Sequence, residues 1–220
     1  MPVTTLVHTR TADYRHDSIP HAVEALRTLG FDVRHTEDPA DFERALDTRP
    51  DTVVFLSTSG DVLTPTGRAR LAAYVDGGGG FVGVHAAACT EYGWPYYGDL
   101  LAARFDRHPA YQPGRVRVTD HEHPATQHLP PDWEFTDEWY DFRSDPREDP
   151  TVRVLAYADE SSYSGAAMGG DHPLVWCRDP ARPGPGRMFY TALGHATEAY
   201  ADPAFRTHLA GAIHWTAHKS

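Results

Sequence analysis

Three histidines occupy positions in this sequence where an imidazole can do chemistry. The chain has 220 residues, of which 14 are histidine. His16, His85 and His195 each come shortly after an apolar segment that is typical of a β-strand. An imidazole transfers protons near neutral pH and also binds divalent metal ions. We predict that these three histidines share one cleft as catalytic groups and bind Zn, Mn or Ni there, although a surface role is the simpler interpretation of any single histidine.

His85 has the most informative surroundings. It follows the sequence GGGFVGV at residues 78–84 and precedes three alanines. Small residues at this point permit a sharp turn from strand to helix, which lifts one side chain into a cleft as a nucleophile elbow does. This elbow bears an imidazole, so a thiol acyl-enzyme mechanism is not available from it. Cys89, four residues later, is predicted to lie inside the following helix rather than to act as a nucleophile.

A cluster of acidic and aromatic residues supplies the fourth catalytic candidate. The sequence DEWY at residues 137–140 places two carboxylates next to large rings. An apolar setting raises the pKa of a carboxylic acid, as an acid or base that works at neutral pH requires. Strand alternation sends Asp137 and Glu138 to opposite faces, so at most one of them faces the cleft. We predict that this one is Glu138.

Eight other side chains are predicted to contact a substrate. Aromatic faces suit the apolar faces of a sugar ring, carboxylates suit its hydroxyls, and a proline after a histidine fixes the direction of the imidazole. Two of the eight have structural alternatives. Asp17, or its neighbour Ser18, caps a helix, and Glu91 packs at the start of an exposed helix. The eight residues are Asp17, Glu91, Tyr92, Trp94, His108, Tyr140, His172 and Trp176.

The composition excludes several classes of function. The chain has 20 basic and 31 acidic residues, a net charge of −11, and its only lysine is Lys219. Nucleic-acid binding depends on basic side chains and is not expected, and neither Schiff-base chemistry nor a nucleotide cofactor is predicted. No apolar run is long enough to span a membrane, and the N-terminus lacks the pattern of a secretory signal. Two separated cysteines, Cys89 and Cys177, favour the reducing cytoplasm.

Alternating strand and helix patterns must position these residues. Short, continuous apolar runs such as 52–56 and 80–84 are typical of strands covered on both faces. Helical spacing of apolar residues lies between them, as at 19–29 and 65–75, and a last helix runs from 203 to 215. The alternation predicts a doubly wound parallel sheet, and the residues that follow its strands collect at one edge. The predicted strands are 4–7, 31–33, 52–56, 80–84, 115–118, 152–156, 173–176 and 187–190.

The middle of the chain interrupts this alternation. From about residue 109 to residue 150 the sequence is rich in proline and histidine. We interpret this segment as a β-rich insertion beside the site, within a single domain of residues 1–220. The histidines of its loop, including His123, are predicted to lie on the surface. Residues 180–186 are predicted to form a hairpin loop between two strands.

Short motifs spread along the chain resemble the ThuA-like, or trehalose-utilisation, family. Each motif alone is short, but together and in order they are specific. The matching segments are RHDSIP at 15–20, GGGFVGVHAA at 78–87, TEY at 90–92 with Trp94-Pro95, DEWY at 137–140, DHP at 171–173 with Trp176, and Gly194-His195. Cys89 departs from the pattern, which has an acidic residue before TEY.

The resemblance implies both a fold and a general function. The family is similar in fold to class I glutamine amidotransferases, with His85 at the position of the glutaminase cysteine and His195 at the strand end that carries the general base. This implies a flavodoxin-like, three-layer α/β/α fold with a mostly parallel sheet and a β-rich insertion. For many members it also implies an association with sugar metabolism, particularly with disaccharides oxidised at the ring.

Two functions from different classes fit these residues. In the first, the chain is a hydrolase, lyase or isomerase of a sugar or 3-keto-glycoside, and not a glutaminase. Isomerisation or elimination uses a base to remove a carbon-bound proton next to a ketone, whereas hydrolysis uses a metal-bound or histidine-activated water. In the second, the chain binds a sugar or serves as a scaffold without catalysis. A small-molecule carbohydrate is the predicted partner, and a sugar dehydrogenase as functional partner and assembly into a homo-oligomer are further expectations.

Overall fold

The computed structural model describes residues 2–180 and 184–218, so the predicted loop at 180–186 lies partly outside the described residues. The strands are β1 (Thr4–His8), β2 (Asp32–Thr36), β3 (Thr52–Leu56), β4 (Gly80–Val84), β5 (Phe105–Arg107), β6 (Gln112–Val118), β7 (Asp132–Asp137), β8 (Asp141–Phe142), β9 (Arg153–Ala158), β10 (His172–Arg178) and β11 (Met188–Thr191). The α-helices are α1 (Ile19–Thr28), α2 (Pro39–Leu46), α3 (Pro65–Asp76), α4 (Pro95–Leu101) and α5 (Pro203–Thr216). None of these described helices is both long and apolar enough to cross a lipid bilayer.

Nine of the described strands form one sheet, in the order β2-β1-β3-β4-β11-β10-β9-β6-β7. The first five strands in this order run parallel to one another. Each later neighbour pairs in the antiparallel direction. The predicted α/β fold is therefore confirmed, and the parallel half of the sheet is the part in which the carboxyl ends of strands meet.

The parallel half of the sheet is covered on both faces. Every residue of β3 and β4 is buried, which explains why their sequences, TVVFL and GFVGV, are apolar except for Thr52 and do not alternate. Helix α1 packs against α5, and α2 packs against α3. Because close-packed interiors deform little, this burial fixes the positions of the strand ends.

The helix starts agree only in part with the sequence signals. At α5, Asp202 accepts backbone N–H bonds from Ala204 and Phe205 at 2.7 and 3.0 Å, as an N-cap residue does. At α1 the prediction of a capping side chain is wrong, because Ser18 is the N-cap residue and makes no side-chain cap hydrogen bond. Other contacts hold the loop before α1. One of them joins His16 Nε2 to His85 Nε2 over 3.1 Å.

The segment from about 109 to 150 extends the main sheet instead of leaving it. Strands β6 and β7 lie at one end of the strand order, yet the end of β7 returns to the end of β11. The backbone N–H groups of Gly194 and His195 donate to Asp137 at 2.7 and 3.2 Å. The end of β7 thus contacts the chain that follows β11, at the edge where the carboxyl ends of the parallel strands lie.

Candidate functional site

His85 stands on a sharp turn at the end of β4. Its backbone φ is +51°, a left-handed conformation that is costly for a residue with a side chain, and a short 3₁₀ turn follows at His85–Cys89. The imidazole is fully buried, and Nδ1 lies 2.7 Å from the Ala192 carbonyl oxygen. Because a carbonyl oxygen only accepts, Nδ1 carries the proton, and in the neutral ring the Nε2 lone pair faces the cleft.

His16 lies in the loop between β1 and α1, against His85. The Nε2 atoms of the two rings are 3.1 Å apart, and Nδ1 of His16 is buried without a hydrogen-bond partner. Burial, followed by the nearby charges of His85 and His195, lowers the pKa of His16 to about 3. His16 is therefore neutral at physiological pH, as an imidazole that binds a metal must be.

Glu138 and His195 complete the group. Glu138 Oε2 lies 3.0 Å from His195 Nδ1, without the alignment of a hydrogen bond, and 3.6 Å from His85 Nε2. Burial opposes the charge on Glu138, but the contacts with His195 and His85 outweigh it and hold the pKa of this carboxyl well below its usual range. Burial lowers the pKa of His195, but Glu138 reverses this effect and raises it. The raised carboxyl pKa that the apolar neighbours indicated therefore does not apply to Glu138.

Asp137 has a supporting role that sequence patterns did not reveal. It is fully buried, and its carboxylate accepts backbone N–H bonds from Glu138, Gly194 and His195 at 2.8, 2.7 and 3.2 Å. Burial raises its pKa, while His85 and these donors oppose the shift. One carboxylate thus fixes the backbone of two cleft residues, one that follows β7 and one that follows β11. The sequence signal for this role was the pair of adjacent acidic residues at the end of a strand. Because side chains alternate along a strand, one residue of such a pair is buried.

Four side chains are arranged as the ligands of one metal ion would be. One donor atom from each of His16, His85, Glu138 and His195, here called the histidine–glutamate cluster, lies within 4.8 Å of the other three. Ligands held about 2.0–2.2 Å from a common ion are separated by about 3 to 4 Å, which is compatible with the contacts of 3.0, 3.1 and 3.6 Å. Three imidazoles and one carboxylate suit Zn, Mn or Ni. The facing Nε2 atoms of His16 and His85 also need a proton or a cation between them, since two lone pairs repel.

A cavity of about 480 Å³ opens beside the histidine–glutamate cluster. Its volume lies in the range of small-molecule sites. Tyr14 and Tyr92 give it exposed aromatic faces, and the Tyr92 hydroxyl donates to the Phe105 carbonyl oxygen at 2.9 Å. A larger cavity of about 610 Å³ lies near Asp51, at the start of β3, and contains none of the predicted site residues.

Two of the predicted substrate-binding residues, Tyr140 and His108, reach the cluster. Tyr140 Oη lies 2.8 Å from His85 Nε2, and burial raises the pKa of the phenol well above its usual value, so it stays protonated. His108 Nε2 lies 3.6 Å from Glu138 Oε1. Its Nδ1 lies 2.8 Å from the Pro109 carbonyl oxygen, so in the neutral ring the Nε2 lone pair is directed toward the cluster.

The structure does not bring Asp17 or Glu91 to the cavity. Asp17 is exposed, and it does not orient His16, whose Nδ1 has no partner. Glu91 is fully buried, and its Oε1 accepts backbone N–H bonds from Val62 and Leu63 at 2.9 and 2.8 Å. The prediction that Glu91 reaches back into the cleft is wrong, because its carboxylate satisfies the backbone of a neighbouring loop.

Trp94, His172 and Trp176 also lie away from the cavity, which corrects their prediction as substrate-binding residues. Trp176 is fully buried in the core, and its indole N–H bonds to the main chain at 2.8 Å. Trp94 stacks on Tyr96 with ring centroids 5.2 Å apart. His172 is buried behind Tyr140, whose carbonyl oxygen lies 2.7 Å from His172 Nε2. The motifs identified these positions, but a motif does not tell whether a side chain faces a ligand or the core.

Cys89 ends the 3₁₀ turn that follows the elbow, and it lines the cavity. Burial raises the pKa of its thiol to about 12. The thiolate is the nucleophilic form of cysteine. The thiol is therefore protonated at neutral pH, in agreement with its predicted lack of a nucleophilic role.

Comparison with known proteins identifies a family and several solved structures that are similar to this chain. The ThuA family, described as trehalose utilisation, matches residues 4–216. No curated protein gives a significant match. A protein from Bacteroides uniformis described as ThuA-like has a solved structure with 25% identity and a TM-score of 0.81, over 98% of this chain and 91% of that chain.

Two further solved structures support the same fold. A ThuA-like protein from Parabacteroides merdae has 24% identity and a TM-score of 0.79, over 100% of this chain and 91% of that chain. A protein from Thermoplasma acidophilum described as a GMP synthase component has 13% identity and a TM-score of 0.60, over 98% and 95% of the two chains. These two likenesses concern the fold alone, and the second agrees with the implied amidotransferase-like architecture.

Proposed function

Because the chain belongs to the ThuA family, described as trehalose utilisation, we propose that it is an enzyme that acts on a 3-keto sugar or 3-keto-glycoside with a divalent metal ion. The observation that carries this proposal is the convergence of the histidine–glutamate cluster beside a cavity of about 480 Å³. Two of the four side chains are buried and two are partly exposed. One side of the cluster is therefore open to a ligand.

The four side chains of the cluster would hold Zn, Mn or Ni. Such an ion, when bound, supplies Lewis acidity that polarises a carbonyl oxygen. The chain itself contributes rigidity, since the Ala192 carbonyl fixes the ring of His85 and Asp137 fixes the backbone of Glu138 and His195. Pre-positioned groups need no reorganisation during the reaction. No nucleotide cofactor is part of the proposal.

His108 and Tyr140 would carry the proton transfer. His108 Nε2 removes a proton from the carbon next to the ketone, which its free lone pair allows. The electron pair of that C–H bond moves toward the carbonyl oxygen, which accepts a hydrogen bond from the protonated Tyr140 phenol. In an isomerisation, the proton returns to the former carbonyl carbon while the hydroxyl proton of the neighbouring carbon passes to the enolate oxygen, so that the ketone moves by one carbon. In an elimination, the ketone re-forms as a substituent leaves the next carbon, and the leaving oxygen takes the proton from His108.

A glutaminase reaction is not part of the proposal. The elbow bears His85 where that reaction needs a thiol, and the pKa of the nearby Cys89 thiol is raised to about 12. A sugar dehydrogenase would supply the proposed substrate, because the ring must be oxidised before it is a ketone. A cytoplasmic location agrees with the two free cysteines, Cys89 and Cys177. Assembly into a homo-oligomer stays a prediction.

Hydrogen exchange at the carbon next to the ketone tests this function. The protein is loaded with Zn, Mn or Ni, its ion content is measured by elemental analysis, and 3-keto-trehalose is added in D₂O while proton NMR follows the signal. We expect exchange or product with the wild type and a rate lower by at least about 100-fold in His108→Gln, with the ion retained. His121→Gln, at an exposed histidine, is the matched control and keeps the wild-type rate.

The other outcomes assign different functions. Sugar binding without exchange or product in the wild type contradicts the proposal and supports a non-catalytic sugar-binding protein. Release of monosaccharide without exchange assigns hydrolysis in place of enolate chemistry. Glutamine hydrolysis that disappears in Cys89→Ala would show that the thiol, and not His85, is the reactive group of the elbow.

A further inference from the structure

A second group of ionisable side chains lies behind the cavity, outside the histidine–glutamate cluster. Asp141 belongs to β8, Glu160 begins a short 3₁₀ turn after β9, and His172 is the first residue of β10. One donor atom from each lies within 4.8 Å of the other two. Asp141 is 3% exposed and His172 is 0% exposed. Solvent water therefore does little to stabilise charge in this group.

The contacts of His172 direct one of its nitrogens at a carboxylate. Its Nε2 lies 2.7 Å from the Tyr140 carbonyl oxygen and therefore carries a proton. Its Nδ1 lies 3.0 Å from Glu160 Oε1 and 3.1 Å from the Tyr163 hydroxyl. In the neutral imidazole Nδ1 has a lone pair, which repels the carboxylate oxygen. The Tyr163 hydroxyl can donate to this lone pair, and a positive charge on or beside Nδ1 would remove the remaining repulsion.

Asp141 gives a second, independent indication that a further partner belongs to this group. Its Oδ2 accepts a hydrogen bond from Arg107 Nε at 3.0 Å. Its Oδ1 is buried and has no hydrogen-bond partner. A buried carboxylate oxygen without a partner is costly, and buried charges in proteins are paired or coordinate a metal. Asp141 contributes one carboxylate oxygen to the group that also contains Glu160 and His172.

We propose that Asp141, Glu160 and His172 bind a second divalent cation, Mn²⁺ or Zn²⁺, at a site separate from the cleft. Two carboxylates and an imidazole are a donor set that both ions accept. The 3.0 Å between His172 Nδ1 and Glu160 Oε1 is the spacing of adjacent ligands about 2.1 Å from an ion in octahedral geometry. Metal-binding histidines usually donate their other N–H to a carbonyl or a carboxylate, as His172 does to Tyr140.

A cation explains the group more completely than a proton does. A proton on Nδ1 would satisfy His172 and Glu160 but would leave Asp141 Oδ1 buried and unpaired. A cation bound by all three residues would pair Asp141 Oδ1 and accept the Nδ1 lone pair, in addition to the ion pair that Arg107 makes with Asp141 Oδ2. The same three side chains therefore have no unsatisfied atom in the cation-bound form.

The second ion would act on the cleft through Tyr140. Asp141 follows Tyr140 directly in the sequence, and His172 binds the Tyr140 carbonyl oxygen. The Tyr140 hydroxyl lies 2.8 Å from His85 Nε2. A cation at this site would therefore hold the backbone that aims the phenol. Only this consequence, and not the site itself, rests on the proposed function.

Counting ions in variants that separate the two sites tests the proposal. Wild type, Asp141→Asn and the double variant His16→Gln/His195→Gln are stripped with a chelator, dialysed against Mn²⁺ or Zn²⁺, and measured by elemental analysis. We expect two ions per chain in the wild type and one in each variant. Asp106→Asn, at an exposed aspartate of β5, is the matched control and keeps both ions.

Two results would overturn the second site. One is an Asp141→Asn variant that binds as many ions as the wild type, and the other is a double variant that binds none. Circular dichroism establishes that each variant is folded, and Glu160→Gln replaces Asp141→Asn if that variant is not. A wild type with one ion, retained by the double variant and lost in Asp141→Asn, supports this site and contradicts the metal site in the cleft. The two proposals therefore fail separately.

Discussion

His85 and His208 are anchored in the same way but serve different ends. Each is fully buried. His85 Nδ1 lies 2.7 Å from the Ala192 carbonyl oxygen, and His208 Nδ1 lies 2.8 Å from that of Ala125. In both residues a backbone acceptor therefore fixes the proton on Nδ1 and leaves Nε2 as the acceptor of the neutral ring.

The two histidines differ in the groups that surround Nε2. Nε2 of His208 has no partner, and the ring packs against Phe205 at a centroid distance of 5.9 Å. Nε2 of His85 lies 3.1 Å from His16 Nε2 and 2.8 Å from the Tyr140 hydroxyl. Burial and a fixed tautomer thus do not make a site. A site requires that other polar groups converge on the same nitrogen.

Exchange of each histidine for glutamine gives the sharpest test of this difference. We expect His85→Gln to lower the affinity of the cleft for Mn²⁺ or Zn²⁺ by more than about 100-fold, because loss of a supporting residue alone costs 10- to 100-fold. His208→Gln should leave that affinity unchanged and lower the free energy of unfolding by about 2–4 kcal/mol, through lost packing and a lost hydrogen bond. Calorimetric metal titration and urea unfolding measure the two effects. Equal metal affinities in the two variants would show that His85 is no more a part of the metal site than His208 is.

Asp137→Asn tests whether the cluster around His85 depends on the hydrogen bonds that Asp137 makes to the backbone of Glu138, Gly194 and His195. The amide presents an N–H group to backbone N–H donors, so we expect metal affinity in the cleft to fall by about 10- to 100-fold. The free energy of unfolding should fall by about 2–3 kcal/mol. Asp132→Asn, at an exposed position of the same strand, is the control and should change neither quantity. Wild-type metal affinity in Asp137→Asn would show that the backbone of Glu138 and His195 needs no such anchor.

The histidines outside the cleft make stability depend on pH. Burial lowers the pKa of His8 and His123 to about 4 and that of His208 to about 3, whereas an unfolded chain has histidine pKa values of about 6.5. Below pH 6.5 the unfolded chain therefore binds more protons than the folded one. The free energy of unfolding should fall as pH falls from about 6.5 toward 4, by up to about 1.4 kcal/mol per pH unit for each histidine.

Urea unfolding at several pH values, with His208→Gln beside the wild type, measures this slope. The variant lacks one of the three titrating groups, so its stability should depend less steeply on pH. The carboxylates contribute equally to both proteins and cancel in the comparison. The same slope in both would mean that His208 takes up a proton in the folded state as readily as in the unfolded one.

Cys89→Ala should have the smallest effect, although the residue lines the same cavity as His16. Its thiol is protonated at neutral pH, because burial raises its pKa to about 12. We expect the rate of exchange on 3-keto-trehalose to change by less than about two-fold, within the range of a small packing change. A loss comparable to that of His108→Gln would make the thiol a member of the reacting group.

The parallel half of the fold could be predicted because the burial of its strands is visible in their local sequence. The runs 52–56 and 80–84 are apolar at every position but Thr52, as is typical of strands covered on both faces. The small residues around His85 likewise indicated a sharp turn. Helix α2 was missed, although Asp38 caps it through a 2.7 Å bond to Asp41 N. A short helix with few apolar positions leaves a weak pattern.

The direction in which a single side chain points could not be predicted from the local sequence. Glu91 and Trp176 have the right chemistry for a sugar site, but tertiary packing turns both into the interior. His123, predicted on the surface, is 2% exposed and packs against Trp215 at 4.6 Å. The contact of Asp137 with the chain after β11 joins residues 57 positions apart, and local sequence patterns do not reveal such a long-range contact.

The contact between the end of β7 and the chain after β11 also bears on how the protein is synthesised. The cluster takes its members from positions 16, 85, 138 and 195, so a nascent chain has no complete cluster until its last strand has left the ribosome and paired. Contacts between such distant segments form late. An ion that binds only the finished arrangement would stabilise it by mass action. Metal supply during synthesis would then set how much of the newly made chain escapes proteolysis.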